Sequence, residues 1–314
     1  MWFVADSRSG LADGPYQATG FKVGEVTDTS AIIWTRLTLR EQRNSSDAPQ
    51  VEILYDEESS ASRRKKVVQA VVYPDGVTVR DLFQAAPGTE GDVRVGYRIA
   101  GQTGWTHTDW KEVNGLRDFT RQIRLRDLQP NARYEVVVEC RSISGSSGQS
   151  IDGTFRTAPS SDQSERIVFT VSTGQGDNDQ DRPDGFNIYP EMLKLDPSFF
   201  VHTGDIVYYD RLAKTISLAR YHWQRTYSRP TNVAFHRQVA SYFVKDDHDA
   251  WVNDCWPTMD DKNYMGDFTF EQGRAVYREQ VPMGPGKTYR TYRWGKDLQV
   301  WLPEGRDFRS PNTM

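Results

Sequence analysis

The chain has 314 residues, 37% hydrophobic, 26% charged and 12% aromatic, which excludes a disordered chain and allows two domains. Its 39 Lys and Arg against 43 Asp and Glu leave a net charge of −4, so the broad basic footprint of a nucleic-acid binder is absent; Arg63, Arg64, Lys65 and Lys66 read as a solvated strand end. No run approaches the roughly 20 apolar residues that span a bilayer, two cysteines cannot build a disulfide framework, and MWFVADSRSG lacks the pattern of a signal peptide.

The first half reads as β structure. Runs rich in β-branched and aromatic residues recur at 20–26, 30–36 (SAIIWTR), 51–55 (VEILY), 66–72, 92–99, 120–125, 133–139 (RYEVVVE) and 154–157, with turn residues between them. Several short strands at this spacing predict a β-sandwich. The segment LQPNARY at 128–134 resembles the corner of fibronectin type III domains, where a Leu-x-Pro turn feeds a strand whose Tyr hydroxyl bonds back to the turn. The aromatic-rich stretch 104–113 (GWTHTDWKEV) is a candidate to pack on a second domain, with His107 a surface residue.

The polar break 160–164 after Pro159 marks a boundary, giving a sandwich domain over 1–159 and a second domain over 160–314. The pattern then changes. The continuous apolar run 166–172 (RIVFTVS) predicts a strand covered on both faces. Helical segments are expected at 185–195, 217–227, 232–239 and 268–279, and strands at 197–203, 241–245, 288–293 and 297–302. Strands alternating with helices predict an α/β layered domain.

Polar clusters follow three of these strands: TGQGDND at 173–179, GDIVYYD at 204–210 and DDHD at 246–249. In α/β sheets the loops at the carboxyl ends of the strands form the ligand crevice, so the three clusters can converge there. Gly204 permits a tight strand exit before Asp205, and Tyr208 can reach back toward the same point. Carboxylate, phenol and imidazole together suit a hard, oxygen-preferring metal. Asp249 can orient His248 or cap a helix. His202 reads as a packed sheet residue, and His222 and His236 as helix residues without ligand roles.

These motifs resemble those of the PhoD-like (alkaline phosphatase D) metallophosphoesterases. GDIVYYD is similar to their Gly-Asp-x-x-Tyr motif, DDHDAWVNDCW to their Asp-Asp-His-Glu/Asp motif, and LPEGRDFRSPN to their Leu-Asp-x-Arg-x-x-Arg segment. The order of sandwich and then α/β domain is also theirs. The resemblance implies two or more metal ions, of the kind ferric iron with calcium. It implies Asp205 as a bridging carboxylate, Tyr208 as a tyrosinate ligand and Asp247 as a ligand of the second metal. His248 would contact the phosphoryl group or protonate the leaving oxygen, and a metal-activated water would attack phosphorus. It also implies a phosphate ester as substrate and a secreted or periplasmic location.

Two departures stand out. The family commonly places a Cys ligand where this chain has Thr173, so Asp177 or Asp179 is the replacement ligand to consider. Further family ligands, mostly His, lie downstream of the motif ending at Asn312, so the sequence reads as the N-terminal part of a longer enzyme. Arg306 is a candidate phosphate-binding residue, the alternative being ion pairing with Asp307 or Glu304. The rival functional reading is a binding or scaffold protein that uses the sandwich, its phosphoesterase half degenerate.

Overall fold

The computed structural model describes residues 14–55, 68–260 and 262–311, so the basic run 63–66 lies outside the described residues. Among these, ten strands come first: β1 (Phe21–Gly24), β2 (Ala31–Arg36), β3 (Glu52–Tyr55), β4 (Val68–Val72), β5 (Gly91–Ile99), β6 (Thr106–His107), β7 (Lys111–Val113), β8 (Thr120–Leu125), β9 (Arg133–Arg141) and β10 (Ser147–Arg156). There follow β11 (Phe169–Ser172), α1 (Ile188–Leu193), β12 (Phe199–His202), α2 (Ile216–Tyr227), α3 (Pro230–His236), β13 (Ser241–Phe243), α4 (Asp247–Ala250), α5 (Phe270–Gln280), β14 (Arg290–Trp294) and β15 (Leu298–Leu302).

The first half forms two facing layers. Phe21, Val23, Ile33, Ile123 and Leu125 from β1, β2 and β8 meet Val93, Val95, Val136, Val138 and Phe155 from the sheet ordered β10-β9-β5-β6 in one buried cluster. The alternation of RYEVVVE places its even-numbered residues inward, as a sandwich requires. The Gln129 N–H donates to the Tyr134 hydroxyl at 2.8 Å, the corner bond that the 128–134 segment implies.

The second half extends the first of these sheets. β11, β12 and β13 run parallel, and β13 pairs in parallel with β1 through Gly24 and Ser241, which makes one six-stranded sheet ordered β11-β12-β13-β1-β2-β8. Phe199, Val201, Tyr242 and Trp294 join the sandwich core. On the opposite face, Trp34 of β2 packs with Ile206, Trp223, Tyr227 and Trp251 in a second core under α2 and α5.

Two expectations need correction. The run 166–172 was expected to be covered on both faces, yet Phe169 is 47% and Val171 53% exposed, so one face of β11 is left open; among the described residues β11 pairs with β12 alone. Double coverage falls instead on β2, whose six residues are all buried between the sandwich and the helices. The stretch 104–113 packs on its own sheet: β6 and β7 pair with β5, Trp110 lies between the Arg94 and Arg141 guanidiniums, and Trp105 stacks on Arg98.

Covering β1 on both faces has one energetic cost. Lys22 is fully buried, with only the Thr19 carbonyl as acceptor at 3.4 Å and the Tyr227 ring centroid 3.5 Å from its ammonium. Burial holds its pKa well below the ordinary lysine value. The ring offers up to about 2 kcal/mol, against several for desolvating an ion, so desolvation wins. Between that lowered folded-state pKa and the ordinary value of about 10.4, the unfolded chain binds more protons than the folded one, so stability rises with pH across that window. Lys22→Met is expected to stabilise the fold by about 1–3 kcal/mol at neutral pH. That gain should shrink as the pH approaches about 10. Urea unfolding at the two pH values measures both, and a variant less stable at neutral pH would contradict this account.

Candidate metal centre

Three loops leave the carboxyl ends of β11, β12 and β13, which are adjacent in the sheet, so their first residues start close together. Gly204 has φ +114°, and a Cβ there would sit 2.4 Å from the Asp246 nitrogen, so the second and third loops touch through their backbones. Asp205 follows in the left-handed region at φ 55°. The first loop joins through the N–H groups of Gly174 and Gln175, which donate to the carbonyls of Gly204 and Asp205.

Asp249 ties the turn together. It is fully buried and accepts the N–H of Ile206 at 2.7 Å and of Val207 at 2.9 Å on one oxygen, and the N–H of Asp246 at 3.1 Å on the other. Burial pushes its carboxyl up to about 7, while those N–H bonds act in the opposite direction. Asp246 caps α4 and Asp249 is its third residue, a reciprocal capping box that fixes where Asp247 and His248 point.

These turns bring Asp205, Asp247 and His248 into one group, with one ligand atom from each within 4.8 Å of the others. The Tyr208 hydroxyl lies 3.5 Å from Asp205 Oδ2, and its ring centroid is 4.5 Å from that of His248. All four residues singled out from the sequence thus converge. His248 Nδ1 is 2.9 Å from Asp210 Oδ1, a partner in the GDIVYYD motif to which sequence reasoning gave no role. Asp249 serves the backbone and Asp210 serves the imidazole.

The electrostatics favour a cation. Asp205 is pushed up to about 6 by burial, with Asp247 and Asp246 adding to the rise and His248 opposing it. Its Oδ1 is buried and has no hydrogen-bond partner. Burial raises Asp247 too, but the Asp254 N–H, His248 and Arg306 outweigh it and hold the carboxyl below its ordinary value. Burial lowers His248, and the bond to Asp210, with the charges of Asp210, Asp205 and Asp247, more than reverses this. Burial and Asp205 push Tyr208 up to about 12 against the pull of Arg211. An unpartnered, buried carboxylate oxygen among acidic neighbours is what a bound cation would satisfy.

Of the other candidates, Arg306 adjoins this group and the rest lie elsewhere. Asp177 is ion-paired with Arg225 at 3.2 Å and with Arg229, and is not in the group of three. The Thr173 hydroxyl donates to the Gly204 carbonyl. Arg306 pairs with Asp246 at 2.6 Å and lies 3.5 Å from Asp247, rather than pairing with Glu304 or Asp307, both of which bind the buried Lys245. His202 is buried, accepts the Gly204 N–H at 3.3 Å and is driven down to about 3 by burial. His222 and His236 are buried on α2 and α3. The Cys255 thiol, pushed up to about 12 by burial, is no nucleophile. Among the described residues no helix is long and apolar enough to cross a membrane.

Residues 169–314 match the family model described as PhoD-like phosphatase. A solved structure of PhoD aligns at a TM-score of 0.66 and 14% identity, covering 97% of this chain and 55% of that one. The purple acid phosphatase PPD1 from yellow lupin (Lupinus luteus) seeds aligns at a TM-score of 0.51 and 11% identity, covering 87% of this chain and 42% of that one. At these identities the likeness to solved structures is one of fold, and this chain spans about half the length of those two or less. No curated protein matches the sequence.

Proposed function

We propose, from the match of residues 169–314 to the PhoD-like phosphatase family model, that the chain hydrolyses phosphate esters with the help of bound metal ions. The observation that carries this reading is the convergence of Asp205, Asp247 and His248, with Asp205 Oδ1 buried and without a partner. Asp205, Asp247 and Tyr208 would hold the metal, a hard-donor set suited to iron or calcium. A cation there supplies Lewis-acid polarisation of the phosphoryl group and acidifies water.

The chain's own residues supply the rest. His248, whose protonated form Asp210 favours, gives its proton to the ester oxygen as the phosphorus–oxygen bond breaks. Water adds to phosphorus and releases its proton to solvent, so no Ser or Cys nucleophile is required. Arg306 fixes the Asp246–Asp247 turn and offsets its negative charge. In this reading its part is electrostatic, and the phosphate contact stays with His248 and the metal.

Thr173, spent on a backbone carbonyl, favours the rival reading of a degenerate site that leaves the sandwich as the working part. One assay separates the two. The metal-loaded chain is expected to hydrolyse 4-nitrophenyl phosphate, and exhaustive chelation to lower the rate by about 10²-fold or more. An unchanged rate in stripped protein would refute metal dependence, and absence of both metal and turnover would favour the degenerate site.

A further inference from the structure

A cavity of about 270 Å³ opens beside this centre, with Tyr208 in its wall. The rest of its lining includes Gln175 and Asp177 from the first loop, Arg211, and His222 and Arg225 of α2. Gln175 also anchors the centre, since its N–H donates to the Asp205 carbonyl at 2.7 Å. Arg211 stacks 4.6 Å over the Tyr208 ring.

Three of the lining residues carry buried donor atoms that no described residue accepts from. Gln175 is 8% exposed and His222 4%, yet neither Gln175 Nε2 nor His222 Nε2 has a hydrogen-bond partner, and Arg225 Nε has none either. The assignments follow from the neighbours. His222 Nδ1 lies 3.3 Å from Arg225 Nη2, which can only donate, so Nε2 carries the proton. Burial, Arg225 and Arg211 all keep that ring neutral. Gln175 Oε1 takes the Tyr189 hydroxyl, which itself accepts from Asn232, so the amide NH₂ is the free end. A buried donor without an acceptor costs about 1–3 kcal/mol, so an acceptor that reached these atoms from the cavity would be favoured.

Charge points the same way. Among the described residues, Arg211 and Arg225 line the cavity with one carboxylate, Asp177, which Arg225 shares with the buried Arg229. Among the described lining residues positive charge is in excess. The other walls, including Ile53, Val68 and Leu212, are apolar and suit a short aliphatic or ring spacer.

We propose that this cavity is a second anion subsite, which binds a phosphate or carboxylate carried on the alcohol portion of the ester. Its place in catalysis rests on the phosphoesterase reading above; its capacity to bind an anion does not. The substrate class is then an ester with a second negative group a short spacer away from the reacting phosphate, rather than an ester of a neutral alcohol.

The subsite is tested by titrating the chelator-treated full chain with phenylphosphonate and with benzoate in a calorimeter. One of them is expected to bind, and Arg225→Met and Arg211→Met each to weaken it about tenfold, with Arg225→Lys recovering part of the loss. Tighter phosphonate binding identifies a second phosphate, and tighter benzoate binding a carboxylate. Binding of neither anion, or binding that both Met variants leave unchanged, overturns the subsite and leaves water as the donors' partner. With metal restored, kcat/KM for 4-carboxyphenyl or 4-phosphonophenyl phosphate should exceed that for 4-carbamoylphenyl phosphate by about tenfold, the ratio falling toward one in Arg225→Met. A ratio near one with all three esters hydrolysed overturns the subsite but not the phosphoesterase. Anion binding without hydrolysis of any ester supports the subsite and overturns the phosphoesterase.

Discussion

Asp205→Asn is expected to lower kcat/KM for an aryl phosphate by about 10³-fold, or about 4 kcal/mol of transition-state stabilisation, together with the metal content of the purified protein. The reason is local. Asp205 leaves the end of β12 in a left-handed turn that Gly204 makes possible, and presents a buried oxygen with no protein partner beside Asp247 and His248. An amide keeps the shape but removes the charge that would hold a cation. The same substitution removes a carboxylate that burial and the nearby Asp247 and Asp246 disfavour. In metal-free protein the variant should therefore unfold at the same temperature as the parent or higher. Inactivity with undiminished stability separates a lost ligand from a damaged fold. A variant that keeps both its metal and its rate would show that Asp205 is not a ligand.

His248→Ala carries the second large expectation, and its signature is dependence on the leaving group. An alkyl phosphate, whose alkoxide needs a proton to depart, should be hydrolysed about 10²–10⁴-fold more slowly. 4-Nitrophenyl phosphate, whose leaving group departs without one, should lose about tenfold or less. Asp210→Asn, which leaves the ring in place but weakens the bond at 2.9 Å, should show the same pattern at smaller amplitude, with KM little changed. Equal losses for both esters would assign His248 to binding rather than to proton transfer.

Much of this site is legible in the sequence because each part of it is local. A glycine and an acidic residue after an apolar run mark a strand exit, and Asp205 and Tyr208 are three residues apart within one turn. DDHD after the next expected strand identifies Asp247 and His248 in the same way. What stayed hidden depends on pairings between loops. Asp210 serves a ring 38 residues downstream. Asp249 binds Ile206 and Val207, although its place in a capping box could be read from the Asp-x-x-Asp spacing with Asp246.

The same limit holds for the fold. Strand positions such as 120–125 follow from β-branched residues and turn signals, and they appear in the structure as β8. The junction of β1 with β13 rests on one pairing between Gly24 and Ser241, which no local pattern announces. Apolar continuity misled at 166–172, where the run lies at an edge among the described residues, while 30–36, for which no double coverage was expected, is buried on both sides. The two runs look alike because periodicity records what a strand can bury, not where it lies in the sheet.

The central claim is that the turns carrying Asp205, Tyr208, Asp247 and His248 grip a cation. Anomalous diffraction from crystals of the iron-loaded protein tests it most directly. A metal peak is expected in contact with Asp205 and with Tyr208 or Asp247, absent in Asp205→Asn. A fully loaded crystal with its only peaks elsewhere on the molecule would contradict it.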